Sequence, residues 1–225
     1  MCYILNIETS STNCSVSLSK EGKLIALEEK NNEKYSHSTK LHSFILDVLN
    51  KAEVDTNELS AISVSKGPGS YTGLRIGVAA AKGLCFALEI PLISISTLLI
   101  LAKKIDLKSG LIIPVLDARR DEVYCSVIDS NFNIIEPDSP KIIINSSFED
   151  YLKNNKLHFI GSGQKKCKEL INPNNNLNFY NEDALPSSKE MAELSYTKFI
   201  NSDFEDLAYF EPAYLKNFIL DSLNR

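Results

Sequence analysis

The chain writes one pattern twice. "ILNIETSSTNCSVSL" near the start and "IPVLDARRDEVYCSVI" from Ile113 both run through an apolar strand, a terminal acid, a polar turn and a returning strand. Setting Glu8 over Asp117 also sets Cys14, Val16 and Leu18 over Val123, Cys125 and Val127. Any two hairpins can be matched this far, so the pairing points to a duplication without establishing one. If the halves are repeats, each is a mixed sheet opened by a hairpin, and the chain divides into residues 1–108 and 109–225.

The first half supports that division. Three apolar or alternating segments broken by polar turns predict an antiparallel meander at the start. From His37 to Ala52, Leu41, Phe44, Ile45, Val48, Leu49 and Ala52 fall at helical spacing, with Ser36 or Ser38 available as cap. A strand over Ala61–Ser65, a glycine loop, a helix from about Leu74 to Leu88, a strand over Pro91–Ile95 and a helix from Thr97 to about Ile105 complete the order βββαβαβα. After the polar break "DLKSG" the pattern restarts, and "HFIGSGQ" reads as a further strand ending in glycines. Helices are expected over Gln164–Ile171 and Ser187–Asn201, and "INPNNNLNFYNED" reads as a surface connection. Two such halves predict an α/β, two-lobe actin and hexokinase-like (ribonuclease H-like) fold, with the hairpin tips facing a cleft. Acids ending the first strands, here Glu8 and Asp117, are the candidate cleft acids, because paired acids there can position magnesium and nucleotide phosphates. The bland reading, polar residues ending buried strands, fits equally.

"GPGSYTGLRIG" at Gly67–Gly77 matches neither a Walker loop nor a dinucleotide fingerprint. Glycines between a strand and a helix start still leave backbone N–H groups for an anion, so Gly67, Gly69, Ser70, Thr72 and Gly73 form a candidate phosphate loop. A tight turn needing unusual φ values explains the same glycines. In "GLRIGVAAAKGLCFALE" the only charges, Arg75, Lys82 and Glu89, are seven apart and mark one narrow stripe. A helix packed on one side of a sheet should be about half polar, so this one calls for cover on both sides. Burial within its own lobe would provide that. A chain with few helices favours instead a partner surface made of Leu41, Ile45, Arg75, Ile76, Gly77, Ala80, Ala81 and Leu84. The same small-residue helix predicts a homodimer when the chain is alone.

Composition narrows the chemistry. At 44% hydrophobic residues the chain can build a core, and its net charge of −5 argues against a self-sufficient nucleic-acid binder. RNA, if involved, is held through a partner. The five cysteines are widely spaced with no C-x-x-C pair, so neither a disulfide framework nor a zinc site is expected. With no apolar run of about eighteen residues, the expectation is a cytoplasmic protein without a membrane span. His37 and His42 lie about 140° apart on a helix, too far for a metal pair, and His37 is expected to face solvent or cap. His158 begins a strand with no ligand-type neighbour. No Ser-His-Asp set or G-x-S-x-G elbow occurs, which disfavours a peptidase.

Taken together, "ILNIETSSTNCSVSL", "HSTKLHSFI", "SKGPGSYTGLRIGVAAAKGLCFALEIPLISISTL", "LDARRDEVYCSV" and "EPAYLK" resemble the TsaB family of bacterial tRNA threonylcarbamoyladenosine biosynthesis proteins. The resemblance runs end to end, with the glycine segment its most specific part. Glu8 stands where Asp is common, and Lys216 where Arg is common. The resemblance implies a paralogue of the catalytic subunit TsaD, bound to it through first-lobe helices. TsaD-like proteins carry a metal-binding H-x-x-x-H where this sequence has Thr97 and Leu101, so the resemblance implies a non-catalytic partner of TsaD, TsaE and, through the complex, tRNA. It implies no required cofactor, with ATP or ADP binding left open. An independent ATP-binding enzyme of the same fold is the alternative.

Overall fold

The computed structural model describes residues 1–31, 37–181 and 183–215. The expected Lys216 departure and the Ser36 cap lie outside them. In chain order the first repeat holds β1 (Tyr3–Glu8), β2 (Asn13–Lys20), β3 (Lys23–Asn31), α1 (His37–Ala52), β4 (Leu59–Gly67), α2 (Tyr71–Leu88), β5 (Leu92–Ser96) and α3 (Thr97–Ala102). The second holds β6 (Leu111–Asp117), β7 (Glu122–Asp129), β8 (Ile134–Ile142), α4 (Glu149–Leu152), β9 (Leu157–Ile160), α5 (Gln164–Leu170), β10 (Leu177–Phe179) and α6 (Met191–Ile200). Each makes a five-stranded sheet, ordered β3-β2-β1-β4-β5 and β8-β7-β6-β9-β10. In both, an antiparallel meander is followed by parallel strands. The sheet order is therefore duplicated, and the fold is the two-lobed α/β class that the sequence predicts.

The repeat is offset by one residue at its tips. Ile7 pairs with Val16 and Val115 with Cys125, all four on the helix-covered outer faces, whereas Glu8 pairs with Ser15. Because strand side chains alternate, Asp117, two residues beyond Val115, lies on the outer face with Val123, while Glu8, one residue beyond Ile7, points to the opposite one. Structurally, Thr9 rather than Glu8 matches Asp117.

The first sheet is built from strands between Tyr3 and Ser96 and the second from strands between Leu111 and Phe179, but the helices that follow them cross over. Leu98, Leu101 and Ala102 of α3 pack on Ile112, Leu116 and Ile128 of the second sheet. Met191 of α6 packs with Ile4, Ala61, Ile93 and Ile95 on the first. Ile100 of α3 packs there too, so α3 lies between the two sheets and α6 covers the first, because each inner sheet face needs cover that its own two earlier helices, on the outer side, cannot provide. Ser96 joins the lobes as well, capping α3 at Leu98 and Leu99 and donating to Asp138 of β8 at 2.5 Å.

Three elements differ from expectation. β8 was not anticipated, since Pro137 and Pro140 interrupt its pattern; as an edge strand it tolerates them. The polar stretch after α5 contains the short edge strand β10, paired in parallel with β9. The expected last helix opens as a 3₁₀ turn over Ser188–Glu190 before α6.

Candidate functional site

The glycine loop is filled by the chain itself. Gly67 has φ +103°, and the Gly67–Pro68 peptide is cis. The tip between β1 and β2 then drops onto the start of α2. Ser70 caps the helix by accepting from the Gly73 N–H, and its own N–H donates to the Ser10 carbonyl at 2.6 Å. A Cβ on Gly69 would stand 2.4 Å from the Ser10 carbonyl oxygen, and one on Gly73 would stand 2.1 Å from that of Thr9. These glycines are required by the close approach of backbone to backbone. Two carbonyl oxygens face the ground that a phosphate would need, so the phosphate-loop reading of Gly67, Gly69, Ser70, Thr72 and Gly73 gives way to the tight-turn reading. Thr72 is exposed beside them.

The two candidate cleft acids are not brought together. Glu8 is fully buried on the inner face of the first sheet. Burial pushes its carboxyl up to about 7, against the opposing pull of Ser10, Ser65 and distant Lys104. The Ser10 N–H donates to Oε1 at 2.5 Å. Asp117 is half exposed, accepts from Lys166 Nζ at 3.0 Å and from the Arg119 N–H at 2.7 Å, and acts as a turn and ion-pair residue. The hydroxyl of Thr97 and the side chain of Leu101 are buried within α3's packing, and neither offers an imidazole to a metal.

The histidines differ from expectation in one case. His37 is buried, its Nε2 standing 2.8 Å from the Ser11 carbonyl, so it ties α1 to the hairpin tip rather than facing solvent. Burial lowers its pKa. His42 is exposed on α1, and His158 Nδ1 lies 3.1 Å from the Tyr180 hydroxyl.

The predicted partner surface divides into two sets. Leu41 and Ile45 on α1, and Ala81 on α2, belong to the first lobe's core, and Gly77 is buried against Thr9. Their apolar character is used inside the lobe, which corrects their assignment as surface. Ile76, Ala80 and Leu84 pack on the edge of that core while still partly exposed, and Arg75 is exposed. Around them lie Ala79 and Gly83, small residues of the helix whose sequence predicts close approach, and three residues that sequence reasoning did not select: Ala87 on α2, Phe86 at 80% exposure and Leu46 of α1 at 58%. Phe86 could have been found, since it lies about 100° around the helix from Cys85 and off the buried stripe Leu74, Val78, Ala81 and Cys85.

The charged stripe also has an internal use. The segment after α6 returns along the first lobe, with the Glu205 N–H donating to the Leu92 carbonyl and the Ala213 N–H to the Lys66 carbonyl at 2.7 Å. Lys82 Nζ donates to the carbonyls of Ala208 and Phe210 at 3.2 and 3.0 Å. Arg75 Nε donates to the Tyr214 hydroxyl at 3.2 Å and its guanidinium lies over the Tyr71 ring. One side of α2 is thereby strapped down, and the side carrying Ala79, Gly83 and Phe86 is left outward. A cavity of about 360 Å³ opens elsewhere, lined by Leu24, Lys103, Phe132, Glu190 and Glu193, and no glycine-loop residue lines it.

Two lobes of equal sheet order, with helices packed between them, define a fold of the actin and hexokinase-like class. Residues 31–218 match the family model described as TsaD, tRNA N6-adenosine threonylcarbamoyltransferase. The chain is 34% identical over 215 residues to the tRNA threonylcarbamoyladenosine biosynthesis protein TsaB of Buchnera aphidicola subsp. Schizaphis graminum, covering 92% of this chain and 98% of that one. It is 35% identical over 173 residues to the Bacillus subtilis protein of that name, covering 75% and 74%. A Pseudomonas aeruginosa crystal structure, described as an uncharacterized protein similar to the peptidase YeaZ, shares the fold at a TM-score of 0.84 and 22% identity, covering 96% of this chain and all of that one. The chain belongs to the TsaB proteins, within the family that the TsaD model describes. Among the described residues no helix is long and apolar enough to cross a membrane.

Proposed function

We propose that this chain takes part in forming N6-threonylcarbamoyladenosine in tRNA as a non-catalytic subunit that binds and activates TsaD and supports the docking of TsaE. The observation that carries the reading is the outward side of α2, where Ala79, Gly83 and Ala87 leave the backbone open to close approach and Phe86 stands ready to fill a pocket. Ile76, Ala80 and Leu84 flank it, with Leu46 across from α1. Arg75 supplies a charge at the rim. The net charge of −5 suits a supporting part, with tRNA reached through the complex. Alone, the same side would pair two copies of the chain. The cytoplasm, where tRNA is modified, is the location this reading implies.

The test is threonylcarbamoyl transfer to unmodified tRNA by purified TsaD and TsaE, with the threonylcarbamoyl-adenylate supplied and this chain added or omitted. Transfer only when the chain is present supports an activating subunit; equal transfer without it removes the reading. The alternative, an independent ATP-binding enzyme, is disfavoured by the Ser10 and Thr9 carbonyls that occupy the approach to the glycine loop. Saturable ATP binding by the chain alone would restore it.

A further inference from the structure

The inner face of the first sheet carries an excess of buried oxygen. Asn6 and Ser63 are paired neighbours on β1 and β4, and Glu8 and Ser65 follow them two residues on, on the same face. All four are completely buried, and Ser10 is 3% exposed. The atoms Asn6 Oδ1, Glu8 Oε2, Ser10 Oγ, Ser63 Oγ and Ser65 Oγ have no hydrogen-bond partner among the described residues. The Ser10 and Ser65 hydroxyls nevertheless stand near enough to favour the charged form of Glu8. Hydroxyls that lean toward a buried carboxylate while their own bonding geometry stays unmet leave the set open to one more group.

Charge narrows what that is. A lone carboxylate inside a protein costs several kcal/mol unless it is neutralised. The charged or titratable groups that bear on Glu8 are Lys104, just beyond α3, and Cys14 on the neighbouring strand. Lys104 is engaged 3.1 Å from Glu190 and also serves Glu29, while Cys14 belongs to the opposite face. The donor set is oxygen alone, which excludes metals that prefer sulfur or imidazole. One carboxylate is too few for calcium, and magnesium demands near-octahedral geometry and keeps its waters rather than shedding them for buried hydroxyls. A single positive charge balances a single negative one.

We propose that Glu8 Oε2, Ser10 Oγ and Ser65 Oγ form an interior site for one dehydrated monovalent cation of the sodium or potassium type, bound without nucleotide and backed by Asn6 and Ser63. The ion links the hairpin tip to β4, and so to the strand that feeds α2.

The experiment follows thermal unfolding of the full chain in sodium, potassium or choline chloride at equal ionic strength. The expected result is a saturable rise of about 4 °C for sodium or potassium over choline. The rise disappears in Glu8→Gln and in Ser65→Ala, the latter removing a single hydroxyl from the set. Equal melting in all three salts overturns the proposal and leaves these oxygens to water or a proton. A thallium(I) soak of crystals provides the second measurement: an anomalous peak within about 3 Å of Glu8 Oε2 supports the site, and its absence at saturating thallium refutes it.

Discussion

The Thr9 hydroxyl donates to the Gly73 carbonyl at 2.8 Å and leaves no room for a Cβ on Gly77, which would lie 2.2 Å from it. The first hairpin tip is thus clamped to the first turns of α2. Gly73→Ala should cost at least about 2 kcal/mol, since the new methyl meets the Thr9 backbone oxygen, and Gly77→Ala somewhat less, since Thr9 can turn. Gly83 is the control: nothing lies within 4 Å of its Cβ position, so Gly83→Ala should gain about 0.5–1 kcal/mol from helix propensity. Urea denaturation of the three variants checks the order.

Glu8 should make stability fall as pH rises. Its folded pKa, about 7, lies above its ordinary value of 4.5, so between those values the folded chain holds a proton that the unfolded chain has released. The contribution is therefore fully present below about pH 4.5 and lost as pH climbs through 7, on the order of 3 kcal/mol in choline buffer. His37 works in the opposite direction, because burial depresses its folded pKa and its protonation as pH falls opposes folding. Glu8→Gln should flatten the decline on the alkaline side. A Glu8→Gln chain that keeps the wild-type slope between pH 5 and 8 assigns that slope to another group.

The outward side of α2 should separate assembly from stability. Phe86 is 80% exposed, so Phe86→Ser should leave melting within about 1 °C while weakening association with TsaD at least tenfold. Ala80→Arg places a bulky charge beside it and should block assembly. Calorimetric titration of the variants into TsaD decides the matter, and unchanged binding by both would move the interface elsewhere.

Lys82 should hold the strap that follows α6. Lys82→Met keeps the aliphatic stem but loses both carbonyl contacts, and should cost about 1 kcal/mol. The amide of Ala213, bonded to the Lys66 carbonyl, should exchange faster with deuterium in the variant. Exchange that stays at the wild-type rate would mean that Leu207 and Phe210, packed on the lobe's core, hold the segment by themselves.

The sequence by itself determined most of the local elements, the two matching hairpins that point to a duplication and the class of fold. Periods of two and 3.6, carried by residues such as Val16 and Leu18 or Leu41 and Ile45, are local consequences of which face meets apolar neighbours. It also marked α2 as too apolar for a one-sided helix. The tertiary structure decided which of those apolar residues are spent inside: periodicity identifies a buried stripe but not its cover, so Leu41, Ile45 and Ala81 went to the core and Phe86 was left outside. It decided as well that α3 lies between the two sheets and α6 packs on the first, that a one-residue offset between the hairpins turns Asp117 away from the face of Glu8, and that the tip of Thr9 and Ser10 fills the glycine loop. These depend on what lies across from a residue in space, and spacing along the chain carries no record of that.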